Sequence, residues 1–463
     1  MSGDPTAGLT SGYLPISAFR HLEPTAVGVV DLDRSLAPSA PDGRPWGEGQ
    51  RDALLLVRLH GEPLAVVHVD RDPRAVGEEE LAAELWRSAG EEIRRHLERY
   101  GCAQVPVDAE ALIGGLYDTA RACPGATPAD PRASVAVIIS TAGRDEQLAR
   151  CIRSLLAQRR VELEVVVVDN RPAGGETRRT VEAIAEVDPR VRYVSESRRG
   201  LSVARNRGVS ETDADVVAFT DDDVVVDAGW LDWLLAPFAE SGVAASCGMV
   251  LPLELQTEAQ KRFEQYAGFS KGLKGRAYDL RSGQAPGRLL YPFVNGSVGV
   301  GNNMAFRRTE LVASGGFDPA LGAGSPTGSC EETWAFSRAI LRGDRIVYEP
   351  RALCWHEHRK DGGSLREQVF GYGLGLGAIL AKALLSDPRF YTAAARSLPI
   401  ALEQRRSARA GAHADEPESN GAPARPEELL RARREGIVRG PLRYAKGLVR
   451  TQRQGLGGVI RGG

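Results

Sequence analysis

Residues 216–226 read VVAFTDDDVVV, two short apolar runs separated by a polar stretch that contains three consecutive aspartates. Short, nearly continuous β-branched runs are typical of strands that are buried on both faces, as in a parallel sheet. Similar runs recur on the N-terminal side of this stretch, with helical patterns between them. The sequence therefore predicts an α/β fold with a mostly parallel sheet. The predicted strands are Val135–Ile139, Glu164–Val168, Val191–Val194 and Val216–Phe219, and the helices between them include Asp145–Gln158 and Glu176–Val187.

The three aspartates, Asp221, Asp222 and Asp223, directly follow the predicted strand. Adjacent carboxylates repel one another, and placing them at the end of a buried strand costs free energy unless a cation neutralises them. Hard oxygen ligands of this kind suit Mg²⁺ or Mn²⁺, and such a metal can bridge a diphosphate. The triplet therefore predicts a metal site, the alternative being a solvated acidic turn that ends the strand.

Other polar motifs stand at the ends of the neighbouring strands, where ligands gather in open parallel sheets. They are VAVIISTAGR at 135–144, the pair Asp169-Asn170, and RRGLSVARNRG at 198–208. Together with the triplet they resemble the family 2 glycosyltransferases, enzymes that use nucleotide sugars and have the Rossmann-like A-type glycosyltransferase fold. The resemblance continues through GVGNNMAFRRTELVASGGFDPALGAGSPTGSCEETWAF at 299–336 and YEPRALCWHEHR at 348–359.

This resemblance implies roles for residues that match the family's motifs. The triplet would bind Mn²⁺ or Mg²⁺, with His356 as an imidazole ligand that shifts the preference towards Mn²⁺. Contacts with the nucleotide sugar are expected from Ser140, Thr141, Arg144, Asp169, Arg199, Arg205, Asn206 and Asp221. Contacts with the acceptor or the sugar are expected from Asn302, Asn303, Trp334, Trp355 and His358.

The catalytic base is expected at the pair Glu331-Glu332. Family members usually carry Glu-Asp at this place, and the Asp takes a proton from the acceptor hydroxyl. Glu332 occupies the position of that Asp. A glutamate can do the same chemistry, but its carboxylate reaches one methylene further, which changes the geometry towards the acceptor.

The predicted reaction is transfer of a sugar from a nucleoside diphosphate donor, with a UDP-sugar favoured, to an acceptor hydroxyl with inversion of configuration. Lipid-linked saccharides are among the acceptors that the resemblance implies. Two alternatives stay open: a sugar-nucleotide-binding protein with weakened catalysis, and a sugar-phosphate nucleotidyltransferase. The second would be expected to carry a glycine-rich basic loop after the first strand, where STAGRDEQ offers only Arg144. A glycosidase fits less well, because it needs two opposed carboxyls and no diphosphate site.

Composition restricts the partners and the compartment. With 59 Lys and Arg against 61 Asp and Glu, the net charge is −2, so the chain has no overall basic field to attract nucleic acid. The six cysteines are scattered without a C-x-x-C pair, which favours a reducing compartment. We found no secretory pattern and no uninterrupted apolar stretch of spanning length. We therefore expect a cytoplasmic protein, including a peripheral location at the inner face of the plasma membrane.

Four regions are predicted along the chain: a small α+β domain of unknown role at 1–125, a linker at 126–133, the catalytic domain at 134–385, and a helical, partly disordered basic region at 386–463. The stretch 436–463 carries six cations and no acid, so we expect it to dock on an anionic membrane, the alternative being a solvated tail. The glycine-rich run at 371–377 lacks a preceding strand and a Lys-Ser/Thr pair, so it is not a P-loop. It is expected to allow close helix packing.

Overall fold

The computed structural model describes residues 24–45, 50–101, 108–113, 116, 133–158, 162–281, 289–411 and 427–456. The predicted linker at 126–133 falls outside these residues except for Ala133, as do residues 412–426 and 457–463 of the predicted basic region. Within the described ranges the strands form two sheets, one of three strands and one of nine.

The first sheet belongs to the N-terminal region. Its strands are β1 (Thr25–Asp31), β2 (Asp52–Leu59) and β3 (Glu62–Val69), followed by the helices α1 (Glu78–Arg99) and α2 (Ala109–Ile113). Strands β2 and β3 pair antiparallel as a hairpin. The turn between them places His60 and Gly61 at positive φ, 53° and 76°, and glycine reaches this conformation without a steric cost.

The second sheet forms the centre of the molecule. Its strands are β4 (Val135–Thr141), β5 (Leu163–Asp169), β6 (Val191–Ser195), β7 (Val216–Asp221), β8 (Val224–Val226), β9 (Val243–Pro252), β10 (Arg276–Tyr278), β11 (Met304–Arg307) and β12 (Arg345–His356). Their order is β10-β12-β9-β11-β7-β4-β5-β6, and β8 pairs with β12. The helices in this region are α3 (Asp145–Leu156), α4 (Glu176–Ala185), α5 (Leu201–Ser210), α6 (Trp230–Leu235), α7 (Glu258–Ala267), α8 (Arg308–Ala313) and α9 (Glu331–Leu341).

The predicted α/β architecture is confirmed, and its connectivity positions a site. Strands β7, β4, β5 and β6 are parallel neighbours, and their valines and isoleucines are almost entirely buried. The chain runs from β4 outward to β5 and β6, and then crosses to the other side of β4 for β7. Such a reversal leaves a crevice at the carboxyl ends of the strands. Each of the four predicted strands extends one or two residues further, up to the polar residues at this edge.

Three helices complete the described chain: α10 (Gly362–Ser386), α11 (Arg389–Gly411) and α12 (Glu427–Arg453). Among the described residues, α10 alone is long and apolar enough to cross a membrane, and 44% of its most apolar window is buried inside the protein. Much of that burial is against α12, through Gly373 and Gly377 on α10 and Gly436 and Gly440 on α12. The close helix packing expected from the run at 371–377 is therefore present.

Candidate functional site

A cleft of about 1170 Å³ opens at the carboxyl ends of β4 and β7. The sheet contributes the floor, and α5, α9 and the first half of α10 contribute walls. Predicted site residues that line the cleft are Ser140, Thr141, Arg144, Arg199, Arg205, Asp221, Asp222, Asp223, Asn302, Glu331, Glu332 and His356. The fold thus brings most of the predicted residues into one cavity.

The aspartate triplet lies between β7, which ends at Asp221, and β8, which begins at Val224. The parallel register places Asp221 opposite Ser140 of β4. The carboxylate of Asp222 accepts hydrogen bonds from the hydroxyl of Thr141, at 2.6 Å, and from Arg144, at 3.0 Å. Arg144 also donates to Asp223. One guanidinium therefore neutralises part of the triplet's charge.

His356 reaches the triplet because β12 pairs with β8. The antiparallel register sets His356 opposite Val224, and the backbone N–H of Glu357 donates to the carbonyl of Asp223, at 2.9 Å. The Nε2 atom of His356 consequently lies 3.4 Å from Oδ1 of Asp223. Among the described atoms this buried Oδ1 has no hydrogen-bond partner.

The protonation of these groups reflects burial and mutual charge. Burial and the neighbouring Asp223 carboxylate raise the pKa of Asp222 to about 7. Burial also favours a raised pKa for Asp223, but His356 and Arg144 outweigh it and hold that pKa below the usual range. For His356, burial lowers the pKa, and the carboxylates of Asp223 and Asp221 raise it by more. The site thus concentrates negative charge at Asp223 beside His356.

Arg205 of α5 connects the triplet to α9. Its guanidinium donates to Glu331 Oε1 at 2.8 Å, to the carbonyl of Gly301 at 2.8 Å and to Asp221 at 3.3 Å. Glu331 and Glu332 open α9, directly after Cys330, whose φ of 73° turns the chain into the helix. Glu332 faces the same cleft as Asp221.

The two glutamates of α9 resist ionisation. Burial raises the pKa of Glu332 to about 8, and the adjacent Glu331 adds to that effect against the lowering influence of Arg205. Burial also raises the pKa of Glu331, although its ion pair with Arg205 opposes this. A carboxyl with a pKa near neutrality can both accept and return a proton, as a general base must.

Comparison with known proteins identifies the central part of the chain. Residues 136–309 match the family model described as Glycosyl transferase family 2. These residues form a family 2 glycosyltransferase domain. The chain is 30% identical over 245 residues to the pre-mycofactocin glycosyltransferase of Mycobacterium tuberculosis, a match that covers 53% of this chain and 47% of that protein. The chain thus spans about half the length of this relative.

The chain has two further similarities to known glycosyltransferases. The chain is 24% identical to the glucosyl-dolichyl phosphate glucuronosyltransferase of Haloferax volcanii, over 49% of this chain and 69% of that protein. Among solved structures it is similar to the mannosyltransferase PcManGT from Pyrobaculum calidifontis, described in complex with GDP-Man and Mn²⁺. That likeness has a TM-score of 0.43 and 19% identity, and it covers 79% of this chain and 99% of the other.

The oxygen and nitrogen atoms around the triplet are of the kinds that hold a divalent cation shared with a substrate. Within the described ranges, no group of three or more His, Cys, Asp or Glu side chains is gathered as a ready-made metal site. Asp223 and His356 nevertheless place a carboxylate oxygen that has no described hydrogen bond and a ring nitrogen 3.4 Å apart, and Asp221 lines the same cleft. Mg²⁺-type sites commonly use one or two carboxylates and complete the shell with water and phosphate oxygens.

Several predicted contacts lie outside the cleft. Trp334 and Trp355 are 5% and 1% exposed and pack in the hydrophobic core, so the structure does not bring them to the cleft where sugar contacts were predicted. Asn303 is also a structural residue, because its amide binds the Trp230 indole and the carbonyls of Met249 and Ala352.

Three more predicted residues are held just behind the cleft wall. Asn206 exchanges two hydrogen bonds with the backbone of Phe317, at 2.7 and 2.8 Å. The carboxylate of Asp169 accepts from the N–H of Arg171 and the hydroxyl of Tyr193, and the residue is 1% exposed. His358 is buried behind His356. A direct nucleotide contact of Asp169 or Asn206 stays a prediction.

The sequence analysis missed residues on the opposite side of the cleft. Arg359 follows β12, and Glu367, Gln368 and Tyr372 lie on α10; all four line the cavity. Glu264 of α7, which contacts His358, was also missed. Arg359 belongs to the quoted stretch 348–359, which is a signal that could have found it. Tyr372 lies in the glycine-rich run at 371–377, which was assigned only to helix packing. The others lie in segments without a motif, so only the tertiary structure brings them to the site.

Proposed function

We propose that this chain transfers a sugar from a nucleoside diphosphate to an acceptor hydroxyl, with inversion at the anomeric carbon. The observation that carries this proposal is the position of Arg205. Its guanidinium contacts Asp221 of the triplet and Glu331, the neighbour of Glu332. A site for the diphosphate and a candidate base therefore face one cleft, as a single displacement requires.

Different side chains of the cleft have different roles in the proposed reaction. Asp221, Asp223 and His356 would hold a Mn²⁺ or Mg²⁺ ion, which supplies positive charge for the departing diphosphate. The imidazole favours Mn²⁺. Asp222 is left out of the ligand set because both of its carboxylate oxygens already accept hydrogen bonds, from Thr141 and Arg144, whereas Asp223 keeps an oxygen without one. Glu332 takes the proton from the acceptor hydroxyl.

Arg205 supports this assignment of roles through its burial and its contacts. It is 2% exposed and pairs with Glu331, so Glu331 serves to position the guanidinium rather than to move protons. On the opposite wall, Arg359, Gln368 and Tyr372 offer hydrogen-bond donors to a hydroxyl-rich acceptor.

The experiment measures release of the nucleoside diphosphate from UDP-, GDP- and dTDP-sugars with Mn²⁺, Mg²⁺ or EDTA. We expect metal-dependent release from one donor class, with UDP-sugars as the first candidates. Asp223→Ala and Glu332→Gln should each lower the rate by about 100-fold or more, because one removes a cation ligand and the other the base. The matched control is Asp213→Ala, an exposed carboxylate that precedes β7. Release that is unaffected by EDTA, or by both variants, would contradict the proposal.

A second candidate is a sugar-nucleotide-binding protein with little turnover. The observation that favours it is the raised pKa of Glu332, about 8, which keeps most of this carboxyl protonated at neutral pH. It predicts metal-dependent binding of one donor without release of the diphosphate at any pH up to 9, with a panel of lipid-linked and free saccharide acceptors present. Release under any of these conditions excludes it.

We further propose that the acceptor is presented at an anionic membrane that α12 contacts. Val438, Leu442 and Val449 are 80%, 64% and 48% exposed and lie at helical spacing along one stripe. Residues 436–453 of this helix carry five cations and no acid. An exposed apolar stripe among cations is typical of helices that lie in the interface of anionic bilayers.

The same helix also contacts the donor side of the cleft. The guanidinium of Arg450 donates to the carbonyls of Gly324, at 2.7 Å, and of Arg199. Both of these residues line the cavity. A membrane held by α12 would therefore lie close to the cleft. A lipid-linked acceptor suits this arrangement, and the name of the Haloferax relative refers to a lipid-linked saccharide.

Vesicle co-sedimentation tests the membrane contact on the full chain. We expect binding to vesicles that contain 30% phosphatidylglycerol, and little binding to pure phosphatidylcholine. The double variant Val438→Ser/Leu442→Ser alters only exposed side chains and should bind several-fold more weakly. Leu280→Ser, at an exposed leucine outside this helix, is the control. Equal sedimentation of the double variant and the unaltered chain would overturn the contact.

A further inference from the structure

Four side chains, three of them buried, form a line of contacts from Asp223 of the triplet into α7. Glu264 Oε1 lies 2.5 Å from His358 Nε2, and His358 Nδ1 lies 2.7 Å from His356 Nδ1. His356 Nε2 faces Asp223 Oδ1 at 3.4 Å. Phe269 packs against both imidazoles, with ring centroids 5.1 and 5.9 Å away. Because these rings are shielded from water, each polar atom must be matched by its neighbour in the line.

The chemistry of the line assigns its protons. A neutral histidine that binds a cation through Nε2 carries its proton on Nδ1, and His356 turns its Nε2 towards Asp223. The Nδ1 of His356 then donates to His358 Nδ1, 2.7 Å away, which must accept. The single N–H of His358 is therefore at Nε2, where Glu264 Oε1 lies 2.5 Å away as the acceptor. When His356 is neutral, its Nε2 therefore carries a lone pair.

That lone pair points at an oxygen that also needs a positive partner. Among the described atoms, Asp223 Oδ1 is buried without a hydrogen-bond donor. Two acceptors facing each other are stable only when a proton or a metal ion lies beside them. The contact between His356 and Asp223 is thus suited to a cation. Whether Nε2 of His356 can bind that cation depends on which ring nitrogen carries the proton.

We propose that Glu264 and His358 are positioning residues that fix His356 in its Nδ1–H tautomer and so present Nε2 as a ligand to the cation held with Asp223. This inference rests on the metal site of the proposed function and assigns a role to a buried carboxylate of α7. Loss of such an outer partner typically weakens metal binding 10- to 100-fold.

Substitutions of nearly equal size at position 264 separate this role from packing. Glu264→Gln retains an oxygen that accepts from His358 Nε2, whereas Glu264→Met fills the space without an acceptor. Mn²⁺ binding to the full chain is followed by electron paramagnetic resonance, with the metal alone and with UDP or GDP added. We expect the Mn²⁺ affinity of Glu264→Gln to lie within about threefold of that of the unaltered chain. The affinity of Glu264→Met should be weaker by about 10-fold or more.

The control on the same helix is Tyr266→Phe, which removes a buried hydroxyl without a described partner. It should leave Mn²⁺ affinity unchanged. Thermal unfolding of every variant checks the fold independently of the metal.

A metal-free measurement reads the tautomers directly. The chain has seven histidines, so ¹⁵N-histidine spectra can be assigned by single substitutions. We expect His358 in the Nε2–H form in the unaltered chain and in Glu264→Gln, and a mixture of tautomers in Glu264→Met. An Nδ1–H form of His358 in the unaltered chain would overturn the inference, whatever the metal results.

The outcomes also distinguish this inference from the proposed function. If Glu264→Met folds and binds Mn²⁺ as tightly as the unaltered chain, the positioning role is overturned while the metal site stands. If the unaltered chain binds no Mn²⁺, alone or with either nucleotide, the proposed metal site fails and the inference fails with it.

Discussion

Arg205 illustrates how single residues hold the cleft together. It is a fully buried cation whose charge is matched by Glu331 and, at longer range, by Asp221. The rings of Phe219 and Phe317 lie 5.9 and 5.6 Å from its guanidinium, so little water can replace a lost partner. Such a pair is costly to break, because removing one charge leaves the other buried and uncompensated.

We therefore expect Arg205→Leu to lower the free energy of unfolding by about 3–5 kcal/mol. The double variant Arg205→Leu/Glu331→Leu should recover part of that loss, since it leaves no unpaired charge at this contact. Urea denaturation followed by circular dichroism measures both. A single variant as stable as the unaltered chain would show that water reaches Glu331.

Glu332 gives the second prediction at this scale. Its folded pKa of about 8 lies well above that of an exposed glutamate, so the folded chain holds a proton that the unfolded chain releases. The stability from this group is complete below about pH 4 and is lost as pH rises through about 8. Activity should instead rise with pH over this range, because Glu332 must be ionised to act as the base.

The measurement is kcat/KM for the donor as a function of pH, with Mg²⁺ as the metal. We expect a rise with an apparent pKa near 8, which reports the free enzyme. The Glu332→Gln variant should lack this rise. A profile flat between pH 6 and 9 would be incompatible with Glu332 as the base.

At the scale of elements, the contact between α10 and α12 depends on glycines in both helices. A Cβ atom on Gly377 would lie 2.2 Å from the carbonyl oxygen of Ile437, and one on Gly440 would lie 2.6 Å from the Cα of Gly377. The backbones touch because neither helix has a side chain at these points. Since α10 also lines the cleft, the contact determines the position of its wall.

We expect Gly377→Ala to destabilise the protein by about 1–3 kcal/mol, because the added methyl group forces the helices apart. Gly371→Ala is the matched control on the same helix, where a Cβ would meet nothing within 4 Å. That change should be stabilising by about 0.5–1 kcal/mol, since alanine favours the helix. Thermal unfolding shows whether each variant raises or lowers the melting temperature. Equal shifts for Gly377→Ala and Gly371→Ala would contradict the close contact.

At the scale of the whole molecule, the N-terminal sheet contacts the segment that follows β8, close to the triplet. Arg58 of β2 donates to Asp31 of its own sheet and, at 2.7 Å, to Asp227, which follows β8. Asp227 is four residues from Asp223, so the N-terminal region holds the segment that presents the triplet.

Arg58→Met should accordingly destabilise the protein by about 3–5 kcal/mol, because it leaves Asp31 and Asp227 largely buried without their partner. It should also speed hydrogen exchange in residues 221–227. Arg71→Met, which removes an exposed pair with Glu80, is expected to change stability by less than about 1 kcal/mol. Unchanged exchange in 221–227 would limit Arg58 to a role within its own sheet.

The sequence by itself determined the α/β class, the strands β4 to β7 and the carboxylates that end β7, because buried parallel strands and their polar ends are local patterns. It also indicated the family through motifs in a fixed order. Only the tertiary structure decided which polar residues reach the cleft. The pairing of β8 with β12 brings His356 to Asp223. Burial removes Trp334 and Trp355 from the cleft, and helix packing adds Tyr372 and places Glu264 behind the histidines. These are contacts between residues distant in the chain, and their partners are fixed by how whole elements pack.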